Sequence, residues 1–196
     1  MTTSLVEQKT AIRQQFRLRY QEQAKEQLAV DSASLRGKLI PSPTWQTARS
    51  ILMFYPLSDE PDIVPLMAEA LTSGKTIALP RYDSSSGVYE AALIRNLTED
   101  LIPGRFGVRE PAPNCPALPL NQLDLTLVPG IAFDASGRRL GRGKGFYDRL
   151  LPGTTGMTLG LAFDWQESDA LPVEPHDVEL DAVLTPTRWL KSRLAT

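Results

Sequence analysis

The sequence predicts an α/β fold: one three-layer domain over residues 1–196, built on a mainly parallel sheet flanked by helices. Three observations carry this expectation. Short apolar runs of strand length alternate with helical stretches, the pattern of strand-helix-strand units. The 196 residues suffice for one compact core and are short for two. With 42% hydrophobic and 22% charged residues, the chain has the balance of a globular protein rather than a disordered or fibrous one.

From Ser4 to about Val30 the chain lacks Gly and Pro and is rich in Gln, Glu, Ala, Arg and Leu, so one long helix is expected, capped by Ser4 with Glu7 three residues on. Ile12, Phe16 and Tyr20 form its apolar stripe, with Lys9, Arg13 and Arg17 on an adjacent one. A second helix, about Asp31 to Ile40, must stop before Pro41 and Pro43. Ser50–Tyr55, closed by Pro56, has the composition of a strand buried on both faces. Asp62 to Thr72 reads as a helix ended by Gly74, and Thr76–Leu79 as a strand ended by Pro80. Further strands are expected at Val88–Ile94, Leu123–Val128, Thr158–Phe163 and Ala182–Thr185, with a short helix after Gly145. In sheets of this kind ligands gather at the carboxyl ends of the strands. The exits at Tyr55–Glu60, Pro80–Tyr82, Pro129–Asp134 and Thr185–Pro186 are therefore the places to look for chemistry.

Composition excludes several classes of function. A formal net charge of −2 gives no broad electropositive field, so no duplex nucleic-acid partner is expected. A single cysteine, Cys115, permits no intramolecular disulfide and no standard zinc spacing, which fits a reducing compartment. It lies between prolines with no cation beside it, so it reads as a bystander and not a nucleophile. There is neither an apolar signal core at the start nor a run long enough to span a bilayer, and a cytoplasmic monomer without membrane partners is expected. His176, the one histidine, sits in a polar loop and reads as a surface residue. Trp45, Trp165 and Trp189 are scattered and read as packing residues.

The densest chemical signal runs from Gly137 to Arg149. Arg138, Arg139, Arg142 and Lys144 are interleaved with Gly141, Gly143 and Gly145 ahead of the short helix. Glycines let main-chain amides approach an anion, a helix start adds positive dipole, and the cations add charge, all of which suit phosphate. Neither common nucleotide motif is met. A Walker loop needs Gly in place of Arg138 and Ser or Thr in place of Gly145, and a dinucleotide fingerprint needs Gly in place of Phe146. Taken alone, such a loop reads equally well as a solvated basic hairpin. Asp148 tilts the balance, because a carboxylate beside a phosphate loop calls for a cation such as Mg²⁺ between them.

The segment Leu127-Val128-Pro129-Gly130-Ile131-Ala132-Phe133-Asp134, then Gly137 and Arg139 through Arg149, resembles the signature of 5-formyltetrahydrofolate cyclo-ligases. Weaker features follow in the family's order: Lys9 with Arg13, Tyr55-Pro56 and Glu60, Leu79-Pro80-Arg81, Phe106 to Pro111, Gln166, Leu171-Pro172, His176-Asp177 and Asp181 to Pro186. Many bacterial members resemble Gly-Tyr-Gly-Gly-Gly-Tyr-Tyr-Asp where this chain has Arg142, Lys144 and Phe146; the last change removes a hydroxyl.

The resemblance implies an ATP-dependent conversion of 5-formyltetrahydrofolate, a reduced folate, to the 5,10-methenyl form. It assigns ATP to Lys9, Arg13, Arg139, Gly141, Arg142, Gly143, Lys144, Gly145 and Tyr147, with Arg142, Lys144 and Tyr147 nearest the reaction. It assigns the folate pocket to Tyr55, Glu60 and Phe146, and Mg²⁺ to Asp148 and Asp181. Without it, Lys9 and Arg13 read as a solvated helix face, Glu60 as a residue near a helix start, and Asp181 as a strand cap. The rivals from other classes are a non-catalytic nucleotide-binding module and a sugar-phosphate isomerase or acyl-transfer enzyme on a similar scaffold.

Overall fold

A computed structural model describes residues 4–83, 87–104 and 107–191. The chain opens with α1 (Leu5–Gln21), α2 (Lys25–Leu39) and α3 (Pro43–Thr47). It continues through β1 (Ser50–Leu52), α4 (Val64–Thr72), β2 (Thr76–Asp83), β3 (Val88–Ile94), β4 (Leu101–Pro103), β5 (Arg109–Pro111) and β6 (Ala117–Leu118). The remainder is β7 (Leu125–Val128), β8 (Ala132–Phe133), β9 (Arg139–Leu140), α5 (Phe146–Leu150), β10 (Met157–Leu161), β11 (Ala182–Leu184) and β12 (Trp189–Lys191).

Eight strands form the main sheet in the order β12-β11-β10-β7-β1-β2-β3-β6. The pairings from β11 through β10, β7 and β1 to β2 are parallel. β12 at one edge, and β3 with β6 at the other, join antiparallel. The expected mainly parallel sheet is thus present, with antiparallel margins. Period-two alternation decides which face each side chain serves. Ile51 and Met53 face a core with Leu35 and Leu39 of α2, Trp45 of α3, and Leu66, Met67 and Ala70 of α4. Leu52, between them in sequence, faces the opposite core with Ala78, Leu123 and Leu150 of α5. Helices therefore cover both faces, which makes three layers. Burying each leucine of these cores stabilises the fold by about 2 kcal/mol.

Two expectations need correcting. The first helix ends at Gln21, not near Val30, and α2 begins from Ala24, whose backbone is extended. Phe16 of α1 packs with Ala132, Leu140 and Leu171, whereas Leu35 and Leu39 of α2 pack under the α4 face of the sheet. One straight helix cannot bury both sets, so tertiary packing overrides propensity. The second correction is at Pro80, which does not end β2: the strand runs on to Asp83 opposite β3. Ala78 turns its carbonyl to β1, accepting from the Met53 amide at 2.9 Å. Pro80, two residues on, therefore turns its missing N–H to the same side, where β1 has already ended at Leu52. No ladder bond is lost.

The strand ends also came out shorter than expected at β1, β10 and β11, and α4 starts at Val64 rather than Asp62. The strand exit expected at Pro129–Asp134 opens into the β8–β9 hairpin. Asp134 makes the turn by accepting from the Ser136 and Arg138 amides, and Gly137 takes the positive φ of 81° that the turn requires.

Candidate active site

A cavity of about 420 Å³ opens at the carboxyl end of the parallel strands, a size that suits a small organic ligand. Five parts of the chain supply most of its lining. The exit from β1 supplies Phe54, Tyr55, Leu57 and Glu60, and the exit from β7 supplies Pro129 and Gly130. β3 and β5 contribute Tyr89, Arg109 and Glu110, and the glycine loop with α5 closes the wall with Arg139, Gly141, Arg142 and Lys144 through Asp148.

The loop follows from its residue types. Gly143 and Gly145 hold φ of 85° and 60°, where a side chain would be strained. Arg13, reaching over from α1, donates from Nε to the Gly141 carbonyl at 2.9 Å. A Cβ on Gly143 would come within 3.4 Å of that guanidinium. α5 has only five residues, too few for a substantial dipole, so the positive charge of the wall comes from side chains.

Arg139 is the buried cation of the site. Its Nη2 donates to Asp148 Oδ1 at 2.8 Å, its Nη1 to the Pro129 carbonyl at 3.4 Å, and its Cζ lies 5.4 Å from the centre of the Tyr147 ring. Its Nε and the Tyr147 hydroxyl are buried and have no protein hydrogen-bond partner. Burial pushes the Tyr147 phenol well above its ordinary pKa, and the Glu60 carboxylate pushes the same way, so the hydroxyl keeps its proton as a donor for a ligand.

Glu60, from the exit of β1, is buried, with its side chain 5% exposed. Its Oε2 accepts the Leu57 amide at 2.9 Å, and its Oε1 accepts Arg142 Nη2 at 2.9 Å and Nε at 3.3 Å. Arg142 Nη2 also donates to Asp59 Oδ1 at 2.6 Å. Burial raises the Glu60 carboxyl above the usual range, and Arg142 is the strongest influence against that rise. Aromatic rings also line the cavity. The Tyr89 and Phe146 centroids are 3.9 Å apart at 80°, and Arg109 Cζ lies 5.9 Å from the centre of the Tyr55 ring.

Of the residues singled out from sequence, Tyr55, Glu60, Arg139, Gly141, Arg142, Lys144, Gly145, Phe146, Tyr147 and Asp148 line this cavity. Arg13 and Gly143 support its loop. Lys9 is not in the cavity wall: its amine is tied to Glu174 at 2.8 Å and Asp177 at 2.6 Å. Burial alone would lower the Lys9 pKa, but the two carboxylates outweigh it and hold the amine above its ordinary value.

Asp181 does not join Asp148. It lies beside Thr158 at the amino end of β10 and β11, where its Oδ2 accepts the Thr158 amide at 2.8 Å and hydroxyl at 2.9 Å. Thr158 pairs with Thr126, three positions before Pro129 at the cavity, so the aspartate sits about 10 Å lower in the sheet. Its reading as a strand cap is the one the geometry supports, and the two-aspartate metal site is withdrawn.

Cys115 is buried, and burial raises its thiol pKa, which keeps it an inert thiol. His176 is exposed. Tyr89, Arg109 and Glu110 were not singled out. Arg109 and Glu110 lay within the stretch Phe106 to Pro111 already marked by the resemblance, whereas Tyr89 gave no sequence signal beyond strand alternation. Among the described residues no helix is long and apolar enough to cross a membrane.

The family model of 5-formyltetrahydrofolate cyclo-ligases matches residues 5–186. A 5-formyltetrahydrofolate cyclo-ligase of Mycolicibacterium smegmatis is 36% identical over 165 residues, covering 82% of this chain and 84% of its own. The Escherichia coli cyclo-ligase is 33% identical over 155 residues, covering 77% and 85%. The solution structure of Aquifex aeolicus 5,10-methenyltetrahydrofolate synthetase superposes with a TM-score of 0.86 at 27% identity, over 96% of this chain and 94% of that one. The cleft, the glycine loop and these matches across nearly the whole chain agree: this protein belongs to the 5-formyltetrahydrofolate cyclo-ligase family and is an enzyme of that family.

Proposed function

We propose that the protein converts 5-formyltetrahydrofolate to 5,10-methenyltetrahydrofolate at the expense of ATP, releasing ADP and phosphate. The observation that carries this is that one cavity is lined both by a buried carboxylate, Glu60, and by a cationic glycine loop with Arg139 and Lys144. The carboxylate suits the N–H donors of a pterin, the loop the oxygens of a triphosphate.

The chemical difficulty is loss of the formyl oxygen, which is an amide oxygen and a poor leaving group. Transfer of the γ-phosphoryl group to that oxygen turns it into a phosphate ester. N10 then attacks the activated carbon, the C–O bond breaks, phosphate departs with the oxygen, and N10 gives up its proton. No protein nucleophile is required, because alignment and charge neutralisation carry phosphoryl transfer. Arg139, Lys144 and the amides of Gly141, Gly143 and Gly145 would hold the phosphates. The Tyr147 hydroxyl would donate to an oxygen in the cleft. Arg13 keeps the loop in shape through the Gly141 carbonyl. Tyr55 and Phe146 would flank the pterin ring.

The residues present fit a Mg²⁺ ion that arrives with ATP. Asp148 follows the loop directly and offers a carboxylate, one oxygen of which is bonded to Arg139, and Mg²⁺ is commonly held by one or two carboxylates plus substrate phosphates. Bound there, the ion would neutralise charge on the transferring group. Among the described residues the only cluster of three possible ligand side chains is Glu174, His176 and Asp177, and Lys9 already occupies its carboxylates.

We also read residues 1–196 as one domain acting as a cytoplasmic monomer on small molecules, with no nucleic-acid partner. The single buried thiol and the net charge of −2 support this. The test is methenyl-folate absorbance on mixing pure protein with 5-formyltetrahydrofolate, with and without ATP and Mg²⁺. Product without ATP, or none with every component, would overturn the reading.

A further inference from the structure

We propose that Arg142 is a positioning residue of the folate side of the cleft: it holds Glu60 as an oriented, ionised acceptor for the donor edge of the pterin, and is not a phosphate ligand. The inference rests on the function proposed above and reassigns a residue that the resemblance gave to ATP.

The geometry carries it. Arg142 lies in the glycine loop, yet its Nε and Nη2 are both committed to the exit from β1, to Glu60 Oε1 and Asp59 Oδ1. With the Leu57 amide on Oε2, three of the roughly four lone-pair sites of the Glu60 carboxylate are filled by the protein, leaving about one for a ligand N–H. Three fixed bonds leave the carboxylate little freedom to turn.

Ionisation matters as much as direction. A protonated Glu60 would present an O–H and lose its remaining acceptor capacity towards an N–H of the pterin. The charged and titratable groups that face Glu60 or share its cavity are Asp59 in its own turn, Tyr55 in the same exit from β1, Arg139 in β9, Arg142 and Lys144 in the loop, Tyr147 and Asp148 in α5, Tyr89 in β3, and Arg109 and Glu110 in β5. Only Arg142 bonds Glu60 as a cation. Burial favours the neutral acid and Asp59 pushes the same way, so removing Arg142 leaves Glu60 more readily protonated.

The experiment compares wild type with Arg142→Gln, Arg142→Lys and Glu60→Gln. It measures KM for 5-formyltetrahydrofolate and for ATP separately, across the whole pH range in which the folded enzyme turns over. Arg142→Gln is expected to raise the folate KM about tenfold at the acid end, about 1.4 kcal/mol, with the defect narrowing as pH rises and Glu60 ionises. ATP KM should stay within about twofold, a shift too small for a lost phosphate contact. Arg142→Lys should fall between the two, since a point charge keeps the ionisation but not the fork. Glu60→Gln should raise the folate KM at every pH.

A rise in ATP KM with folate KM unchanged would overturn the proposal and return Arg142 to the phosphates. So would a folate defect in Arg142→Gln that is the same at every pH. If Arg142→Gln does not fold, Arg142→Met, which also removes the charge, carries the same comparison. If wild type forms no methenyl product, the function fails first. Calorimetric titration of 5-formyltetrahydrofolate without ATP then tests Arg142 alone, and equal affinity in wild type and Arg142→Gln at acid pH would refute it.

Discussion

Asp148 and Asp181 are both aspartates that the family resemblance pairs on a metal, and the structure separates them, so the same substitution should have opposite consequences. Asp181→Asn keeps an acceptor oxygen for the Thr158 amide and hydroxyl, at 2.8 and 2.9 Å in the native protein, but removes its charge. Hydrogen bonds to charged groups contribute roughly 1 kcal/mol more than neutral ones, so the cost should be about 1 kcal/mol. For a chain of this length that is a fall of about 2–4 °C in Tm. Turnover and its dependence on Mg²⁺ should be those of wild type, because the site is about 10 Å down the sheet. Asp148→Asn strips the charged partner from Arg139, whose side chain is only 5% exposed, and removes the cleft's anionic oxygen beside the loop. Turnover should fall at least a hundredfold, the scale of losing an electrostatic contact in an active site. Folate affinity measured without ATP should hardly move. The assay is methenyl-folate formation against Mg²⁺ concentration, with a thermal melt of each variant. An Asp181→Asn protein with wild-type Tm and lost Mg²⁺-dependent turnover would refute the reasoning.

Three further outcomes are expected. Lys144→Ala should raise the KM for ATP tenfold or more at saturating folate while leaving the melt unchanged, since a loop cation neutralises phosphate charge and packs no core; unchanged ATP kinetics would remove it from the site. Cys115→Ser should keep near-wild-type turnover, with a stability loss of about 1 kcal/mol from placing a hydroxyl in a buried thiol site, read by the melt. The Asp177 carboxyl is held below its ordinary pKa: burial works against this, and the Lys9 amine outweighs it. Its contribution is therefore present above about pH 4 and lost as pH falls through the lowered folded value. Lys9→Met should make the acid limb of a Tm-against-pH curve shallower, and an identical slope would contradict the pairing.

How much could be read from the sequence depended on how far apart the cooperating residues lie. β3 was legible to the residue, and β7, β10 and β11 to within one or two, because each is an apolar run of strand length. β4, β5, β6, β8, β9 and β12 span only two or three residues, too few for periodicity to register. The glycine loop was legible because its chemistry is contiguous. The bond between Glu60 and Arg142 joins residues 82 apart, and nothing local announces it. For Asp181 the residue context, a strand cap, agrees with the geometry, and the metal role implied by the resemblance does not. Residue types alone left a non-catalytic nucleotide module open, and family membership closes that alternative.

The tether of α1 to the far end of the chain bears on how the protein is made. Lys9 bonds Glu174 and Asp177, 165 and 168 positions later, and Phe16 packs against Leu171. A ribosome adding about 5–20 residues per second needs on the order of 10–30 s to pass from the first of these residues to the last. Throughout that interval the first helix has its buried face and its lysine exposed, with their partners not yet synthesised. The strands of the sheet emerge in the meantime and can pair with one another. Of the elements that build the site, α1 is thus synthesised first and docks late, and until it does Arg13 cannot brace the Gly141 carbonyl, so the glycine loop takes its final shape only after Asp177 has emerged.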